Sequence, residues 1–237
     1  MKKLNYTDML AYLGISSAHP GGSRLTKKIT AAEKISSEMN VLDIGCGTGQ
    51  TAAFLAKKYK CNVTALDAHS TMVEKARKRF AREKVAINVL KGNAEKLSLA
   101  DESFDYIFAE SVVVFTDPIY SLPEFKRVLK QGGRLIAIEM VAKETLTLTE
   151  KKEIQNFYGV KNVFSIDEWK THFLNADFSQ VLTDDDDQVI NKNHPVIEEN
   201  DPSNFIDPDL FKIFVSHGEM LQRYKEKLGY RVFRSQK

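Results

Sequence analysis

The sequence predicts an α/β fold in which helices cover both faces of a mostly parallel β-sheet. Short apolar runs of strand length alternate with segments of helical periodicity between residues 41 and 141, which is the pattern that strand–helix–strand units produce. The first strand also runs directly into a glycine-rich turn at residues 45–49. A turn of this kind between a strand and a helix is where open α/β sheets bind ligands.

The chain begins with a segment that we predict to be a helical cap over residues 1–38. The sequence His19-Pro20-Gly21-Gly22 interrupts it. This break is either a hinge that lets the cap close over a ligand or an ordinary turn, since proline and glycine are common in both.

The central part of the chain, residues 39–183, is predicted to hold six strands. They are placed at Val41–Ile44, Val63–Leu66, Val85–Leu90, Phe104–Ala109, Arg134–Val141 and Gln180–Thr183. Helices are predicted between them, among them Thr51–Tyr59 and Ile166–Asn175. Two further helices are predicted to open on capping boxes, Thr71 with Glu74 and Ser121 with Glu124. In the second, Pro123 falls in the first turn and Gly132-Gly133 stops the helix.

The C-terminal part is predicted to contain an insertion, residues 184–229, before a final strand in residues 230–237. The first half of the insertion is rich in Asp, Asn and Pro and is predicted to be a loop or lid, followed by a helix over Pro208–Leu228. The final strand is placed at Tyr230–Phe233, which completes a seven-stranded, Rossmann-like sheet. At 237 residues we expect a single domain.

Composition narrows the partners and the location. The net charge is +2, from 34 basic and 32 acidic residues, so the chain lacks the basic excess of nucleic-acid-binding domains. No apolar run approaches the ~20 residues of a membrane span, and residues 1–8 lack the apolar segment that is typical of a signal peptide. The two cysteines, Cys46 and Cys61, do not form a disulfide framework. We therefore expect a cytoplasmic protein that neither binds nucleic acid nor inserts into a membrane. The sequence does not predict its oligomeric state.

The spacing of the glycine turn decides which ligand it favours. Gly45, Gly47 and Gly49 form G-x-G-x-G, and position 50 is Gln where the dinucleotide fingerprint G-x-G-x-x-G requires glycine. Glycines let a ligand approach the backbone closely. The spacing therefore favours S-adenosylmethionine over NAD, and Gln50 is included among the candidate cofactor-binding residues.

Polar residues at three further strand ends fit an adenosyl ligand. Asp67 follows the second strand, 20 residues after Gly47, where an acid accepts ribose hydroxyl groups. Asn93, before Ala94, offers an amide to the adenine edge, although Gly-Asn is also ordinary turn chemistry. Glu110 ends the fourth strand.

These motifs together resemble the class I S-adenosylmethionine-dependent methyltransferases. The resemblance rests on VLDIGCGTGQ, VTALD, GNAEKLSLADESFDYIFAES and FKRVLKQGGRLIAIE, and is nearest to the small-molecule branch that includes the ubiquinone and menaquinone-biosynthesis enzymes. It covers residues 38–142 closely and 164–183 loosely. It implies the sheet order 3-2-1-4-5-7-6 with strand 7 antiparallel. The chain departs from the family at Asp177-Phe178, where a Gly-Phe pair often stands, and in its long connection to the last strand.

The resemblance also implies roles for individual residues. Gly45, Cys46 and Gly47 would pack against the methionine part of the cofactor, and Asp43 would anchor its ammonium group. Asp67 would bind the ribose by the same resemblance. Ala68, Asn93 and Ala94 would flank the adenine, and Glu110 and Ser111 would line the methyl-transfer end.

In-line methyl transfer requires mainly alignment of the two reactants. A general base is needed only if the acceptor carries a proton, and the candidates are Glu110 and His19. No metal site is expected, because the acidic run at residues 184–187 lacks ligand spacing. Four aromatic residues could line a substrate pocket or pack in the core, and their helical spacing favours the core: Phe205, Phe211, Phe214 and Tyr224.

The sequence predicts S-adenosylmethionine-dependent methyl transfer to a small-molecule acceptor. The alternative is a module that binds the cofactor without catalysis. A nucleic-acid or protein methyltransferase is less favoured, because the fourth strand runs into Glu-Ser-Val-Val without the Asn/Asp-Pro-Pro-aromatic motif of base methylases.

Overall fold

The computed structural model describes residues 4–143, 145–184 and 200–237. They form a seven-stranded sheet in the order β3-β2-β1-β4-β5-β7-β6. The pairs β1–β2, β1–β4, β2–β3 and β4–β5 are parallel, and β7 is antiparallel to β5 and β6. The predicted Rossmann-like α/β fold and its strand order are confirmed.

The elements have the following bounds. The strands are β1 Asn40–Ile44, β2 Asn62–Asp67, β3 Asn88–Lys91, β4 Phe104–Glu110, β5 Leu129–Ala142, β6 Ser179–Thr183 and β7 Leu228–Gln236. The helices are α1 Tyr6–Leu13, α2 Gly22–Ala32, α3 Gln50–Tyr59, α4 Ser70–Glu83, α5 Pro118–Val128, α6 Leu148–Tyr158, α7 Ile166–Asn175 and α8 Pro208–Tyr224. A short 3-10 turn, Val113–Phe115, follows β4.

Apolar side chains form a core on each face of the sheet. In β4, Ile107 and Ala109 belong to one core, whereas Tyr106 and Phe108 belong to the other. This alternation arises because successive side chains of a strand point to opposite faces. The central strands are therefore buried on both sides, and the ends of the strands are left to build a site.

Three predicted helix boundaries are wrong. Helix α4 is capped by His69, whose side chain accepts from the Thr71 amide, so Thr71 with Glu74 is not its capping box. Helix α5 is capped by Asp117 and begins at Pro118, which puts Ser121 and Pro123 inside the helix. Sequence patterns locate caps poorly when several polar residues precede a helix.

The glycine pair 132–133 does not stop α5, because that helix ends four residues earlier at Val128. The glycines lie instead within β5, where the pairing with β4 shifts register between Phe104 and Tyr106. The third strand also begins later than predicted. Val85 belongs to the turn that caps the C-terminus of α4, since its amide donates to the Phe80 carbonyl at 3.0 Å.

Two predictions in the C-terminal half are incomplete. Helix α6 was not predicted, although its Thr147–Glu150 capping box is visible in the sequence. The final strand is longer than predicted, and α8 ends at Tyr224. Of the four aromatic residues weighed above, Phe205 and Phe211 are exposed and Tyr224 is buried. The predicted loop or lid falls largely on residues 185–199, which lie outside the described residues.

The N-terminal and C-terminal segments together cover one edge of the sheet. Helix α1 packs against α8, and residues 200–203 run beside the end of α1. The amides of Asp201 and Ser203 donate to the carbonyls of Gly14 and Tyr12 at 3.1 and 2.8 Å. Among the described residues, no helix is both long and apolar enough to cross a membrane.

Candidate functional site

A cavity of about 840 Å³ opens at the carboxyl ends of β1, β2 and β4. It lies under α1 and α8 and has two chemically different ends. The glycine-turn end consists of residues 43–51 and the polar residues that follow β2 and β4. The aromatic end consists of Tyr6, Phe115, Tyr158 and His217. Its position is the one where open α/β sheets bind ligands.

The structure brings nearly all the predicted site residues to this cavity. Its wall includes His19, Asp43, Gly45, Cys46, Gly47, Gln50, Asp67, Ala68, Asn93, Ala94, Glu110 and Ser111. Gly49 is not part of the wall: a Cβ there would lie 2.5 Å from Phe80 Cζ, so this glycine allows α4 to pack closely.

Gly45 and Gly47 have different physical reasons to be glycine. Both have positive φ angles, +66° and +53°, which disfavour side chains. At Gly45 a Cβ would also lie 2.4 Å from Val112 Cγ2. At Gly47 it would meet no atom of the described residues within 4 Å, so the backbone there is bare towards the cavity.

Asp67 holds the turn in place and keeps acceptor capacity. Its Oδ2 accepts from the Gly47 amide at 2.9 Å, and its Oδ1 accepts from the His69 amide at 2.8 Å. A carboxylate offers about four lone-pair positions. Asp67 therefore keeps acceptor capacity for hydroxyl groups of a ligand. Burial raises the pKa of Asp67, and the two backbone hydrogen bonds oppose that rise.

Asp43 carries a buried oxygen without a partner. Its side chain is 2% exposed, and Oδ2 forms no hydrogen bond with the described residues. Burial, and next the nearby charge of Glu110, raise the pKa of Asp43 well above its usual value. An unpaired buried carboxylate is costly unless a cation joins it, so the site is suited to an ammonium group.

Glu110 joins the cap to the glycine turn. Its two carboxylate oxygens accept from the hydroxyls of Thr26 at 2.5 Å and Thr51 at 2.6 Å. His19 Nε2 lies 3.4 Å from Glu110 Oε2, and its Nδ1 lies 3.1 Å from the Pro20 carbonyl. The two predicted catalytic residues are therefore adjacent, but both are already engaged by protein atoms.

Three further predicted residues have identifiable contacts. Asn93 Oδ1 accepts from the Glu95 amide at 2.9 Å, so the residue does form a turn. Its side-chain NH₂ forms no hydrogen bond with the described residues and is available to a ligand. Gln50 Oε1 accepts from the Ser17 hydroxyl at 2.6 Å. Burial raises the pKa of the Cys46 thiol, which therefore stays protonated and is a poor nucleophile.

Glu139, on β5, supports the wall from behind and was not predicted from the sequence. It is fully buried, and its carboxyl group accepts from the amides of Val112, Val113 and Val114 at 3.2, 2.9 and 3.1 Å. Burial raises its pKa to about 8 despite these hydrogen bonds. The group fixes the segment after β4 that faces the cavity. A single Glu inside an apolar strand is the signal that could have revealed it.

The comparisons with known proteins agree with this geometry. Residues 42–137 match a family model described as a methyltransferase domain. The chain is 36% identical over 232 residues to the uncharacterized methyltransferase YodH of Bacillus subtilis, covering 96% of this chain and 97% of that protein. This chain is a methyltransferase. It belongs to the class I family that uses S-adenosylmethionine.

Further relatives of the methyltransferase align with a smaller part of its chain or have a lower sequence identity. The O-methyltransferase cnsE of Penicillium expansum is 33% identical, over 51% of this chain and 45% of its own. The structure of phosphoethanolamine N-methyltransferase 2 of Haemonchus contortus in complex with S-adenosyl-L-methionine has a TM-score of 0.77 at 18% identity. It covers 98% of this chain and 57% of that chain, and at this identity shows the shared fold.

The aromatic end of the methyltransferase's cavity was missed by the sequence analysis. Tyr6 lies edge-on to Tyr158, with ring centroids 4.8 Å apart, and near His217 at 5.1 Å. These residues come from α1, α6 and α8, which are far apart in the chain. Their convergence depends on how the cap and the insertion pack together, which local patterns do not report.

Proposed function

We propose that the protein transfers the methyl group of S-adenosylmethionine to a small-molecule acceptor held in the same cavity. The single observation that carries this proposal is the bare backbone at Gly47, with Asp43 and Asp67 on either side, at the carboxyl ends of β1 and β2. In this arrangement Asp67 would accept the ribose hydroxyls and Asp43 would receive the ammonium group. The bound cofactor supplies an electrophilic methyl group.

The residues fit such a ligand on independent grounds. Asp43 Oδ2 is buried and lacks a partner among the described residues, Asp67 has spare acceptor capacity, and Asn93 offers its amide to the adenine. Ala68 and Ala94 are small enough to leave room beside a flat ring. Gly45 and Cys46 would lie along the methionine part, and Ser111 and Glu110 near the methyl group.

The contacts of Glu110 and His19 favour positioning over proton transfer. Glu110 accepts hydrogen bonds from two threonine hydroxyls. His19 Nδ1 lies 3.1 Å from the Pro20 carbonyl oxygen, and Nε2 lies 3.2 Å from the Thr26 hydroxyl. We propose that the pair fixes the cap, α2 and α3 around the cofactor.

The size of the cavity favours an enzyme over a sensing module. About 840 Å³ is near the upper end of ligand pockets, which span roughly 300–1,000 Å³. The whole aromatic end, beyond the residues assigned to the cofactor, is left for an acceptor. The acceptor must fit into this remaining space, which limits it to a small molecule.

We propose a cytoplasmic location for the protein. Both cysteines are buried and free, which is in keeping with that location.

The test is calorimetric titration with S-adenosylmethionine, S-adenosylhomocysteine and NADH. We expect both adenosyl ligands to bind and NADH not to bind. Asp67→Ala should weaken binding about tenfold or more, because hydrogen bonds to a charged group contribute about 1.5–3 kcal/mol. The matched control Asp101→Ala removes an exposed carboxylate outside the cavity and should leave affinity unchanged. Equal affinity of Asp67→Ala and the unaltered protein would remove the ribose role.

A further inference from the structure

We propose that His217 is a catalytic residue that accepts a proton from the acceptor, that Tyr158 positions it, and that the acceptor is an uncharged, flat, apolar molecule bearing a hydroxyl group. This inference rests on the proposed function and adds the chemical class of the acceptor. It depends on three features of the aromatic end: a hydrogen-bonded pair of side chains, a ring nitrogen without a hydrogen bond to the described residues, and the mainly apolar surroundings of the rings.

The first feature is the pair itself. Tyr158 Oη and His217 Nδ1 lie 3.0 Å apart, and both residues line the cavity. Tyr158 is buried and ends α6, while His217 is in the middle of α8. The ring of Tyr6 contacts both of them. Held from two helices and packed against a third, the imidazole has a fixed orientation.

The second feature is the remaining ring nitrogen. His217 forms no other hydrogen bond with the described residues, so Nε2 is open to a ligand in the cavity. When the Nδ1–H donates to the Tyr158 oxygen, Nε2 is the unprotonated acceptor. Burial lowers the pKa of His217 to about 4, so the ring is neutral at physiological pH and is a weak base. It accepts the proton as the oxygen–methyl bond forms, because the hydroxyl group becomes strongly acidic at that point.

The third feature is the chemistry of the surrounding wall. The rings are surrounded by apolar side chains, Leu10, Val114, Met140 and Leu221. Two charged residues, Glu95 and Lys161, also line the cavity, and they pair with each other at 3.4 Å. A charged acceptor placed among the rings would lose hydration, and these two charges already compensate each other. An uncharged, flat molecule would instead stack on the rings and hydrogen-bond to the pair through its hydroxyl group.

The proposed step balances in atoms and charge. A lone pair of the acceptor oxygen forms a bond to the methyl carbon as the carbon–sulfur bond breaks, and its electron pair stays on sulfur. The hydroxyl proton moves to His217 Nε2, and the Nδ1–H of the resulting imidazolium is held by the Tyr158 oxygen. One positive charge leaves the sulfonium and one appears on the imidazolium, so the buried site keeps its net charge. The proton is later released to water.

The activity test measures formation of S-adenosylhomocysteine with a panel of simple acceptors. We expect turnover with uncharged hydroxyl compounds, catechol and naphthol, and none with the matched cation naphthylmethylamine or the anion naphthoate. His217→Gln should lower turnover about 100-fold or more, as removal of a general base does. Tyr158→Phe should lower kcat about tenfold with little change in KM. His172→Gln is the matched control, since His172 packs against Phe164 with ring centroids 4.5 Å apart and is not part of the cavity wall.

A second readout does not depend on turnover. In nitrogen-resolved histidine spectra of the S-adenosylhomocysteine-loaded protein, His217, assigned with His217→Gln, should be neutral at about pH 6, below the ordinary histidine pKa of about 6.5. Added naphthol should shift its resonances and leave those of His172 in place. Tyr158→Phe should also shift them.

Three outcomes would overturn the proposal. The first is turnover limited to charged acceptors, and the second is no turnover with any hydroxyl compound. The third is a failure of the residue roles, seen either as full turnover by His217→Gln or as a His217 resonance that neither naphthol nor Tyr158→Phe shifts. Binding of S-adenosylmethionine to His217→Gln is measured in parallel. If any of these outcomes is seen while His217→Gln binds S-adenosylmethionine with unchanged affinity, the acceptor proposal is wrong and the proposed function stands. If the unaltered protein does not bind S-adenosylmethionine at all, both are wrong.

Discussion

At the scale of single residues, Asp43 and Asp67 show how burial prepares a site for its ligand. Asp67 already has two backbone donors, and so its charge is partly stabilised before a ligand arrives. One oxygen of Asp43 has no such partner among the described residues. The proposed ammonium group would therefore stabilise the charge of Asp43 more than the ribose would stabilise the charge of Asp67.

The affinity for S-adenosylmethionine should consequently depend on pH through Asp43. Because burial raises the pKa of Asp43 in the free protein, protonation competes with the ammonium group as the pH falls. We expect the dissociation constant from calorimetry to rise as the pH falls from about 6.5 to 5, a range in which the ligand amine, like other α-amino groups, stays charged.

The stability of the free protein should depend on pH in the opposite sense, being favoured by protonation of Asp43. A carboxyl group whose pKa is raised on folding contributes stability at low pH, and this contribution is lost as the pH rises through the folded-state pKa. Asp43→Asn is the matched variant: it should bind weakly with a flatter pH dependence. Equal pH dependence in this variant and the unaltered protein would show that Asp43 is not the group responsible.

At the scale of elements, Glu139 links the sheet to the segment after β4. Three consecutive amides of that segment donate to one carboxyl group, which replaces the missing strand or helix hydrogen bonds. The segment includes Val112, whose side chain also limits the space at Gly45. Glu139 thus connects the shape of the glycine turn to β5.

Glu139 predicts a second pH effect, this time on stability. Its pKa is raised to about 8 by burial, above the unfolded value, so its contribution is present at low pH and is lost as the pH rises through about 8. Glu139→Gln cannot titrate. In thermal unfolding from about pH 5 to pH 9, the unaltered protein should lose stability relative to Glu139→Gln. A constant difference between the two melting temperatures would contradict this assignment.

The sequence predicted the elements well where periodicity was strong and the caps poorly. The strands β1, β2 and β4 and helix α7 lie where their apolar patterns place them, because these patterns follow directly from the sheet and helix repeats. The capping boxes of α4 and α5 were wrong, since His69 and Asp117 cap these helices two and four residues earlier than predicted. The glycine-turn end was predicted because its residues follow strand ends. Tyr6, Tyr158 and His217 were not, because only long-range packing brings them together.

At the scale of the whole molecule, the two ends of the chain close the cavity jointly. Residues 200–203 pack along the end of α1, and the buried Lys75 of α4 donates to the Asp201 carbonyl. Gly14 permits this approach, because a Cβ there would lie 2.0 Å from the Asp201 carbonyl oxygen. The cover is thus assembled from segments nearly 200 residues apart in sequence.

Gly14→Ala should detach residues 200–203 from α1 without disturbing the glycine turn. We expect faster hydrogen exchange at the amides of Asp201 and Ser203, and a dissociation constant for S-adenosylmethionine within about threefold of the unaltered value. Gly159→Ala is the matched control, since Gly159 also has a positive φ but open space around it. Protection of the Asp201 amide in Gly14→Ala equal to that in Gly159→Ala would show that the close approach is not essential to the cover.

We propose that one cavity holds the cofactor at its glycine-turn end and leaves the aromatic end for an acceptor. A crystal structure of the protein with S-adenosylhomocysteine tests it most directly. We predict ribose hydroxyls within hydrogen-bond distance of Asp67, the amino group within hydrogen-bond distance of Asp43, and the sulfur facing Tyr158 and His217. A ligand bound with its adenine among those rings, or outside this cavity, would contradict the account.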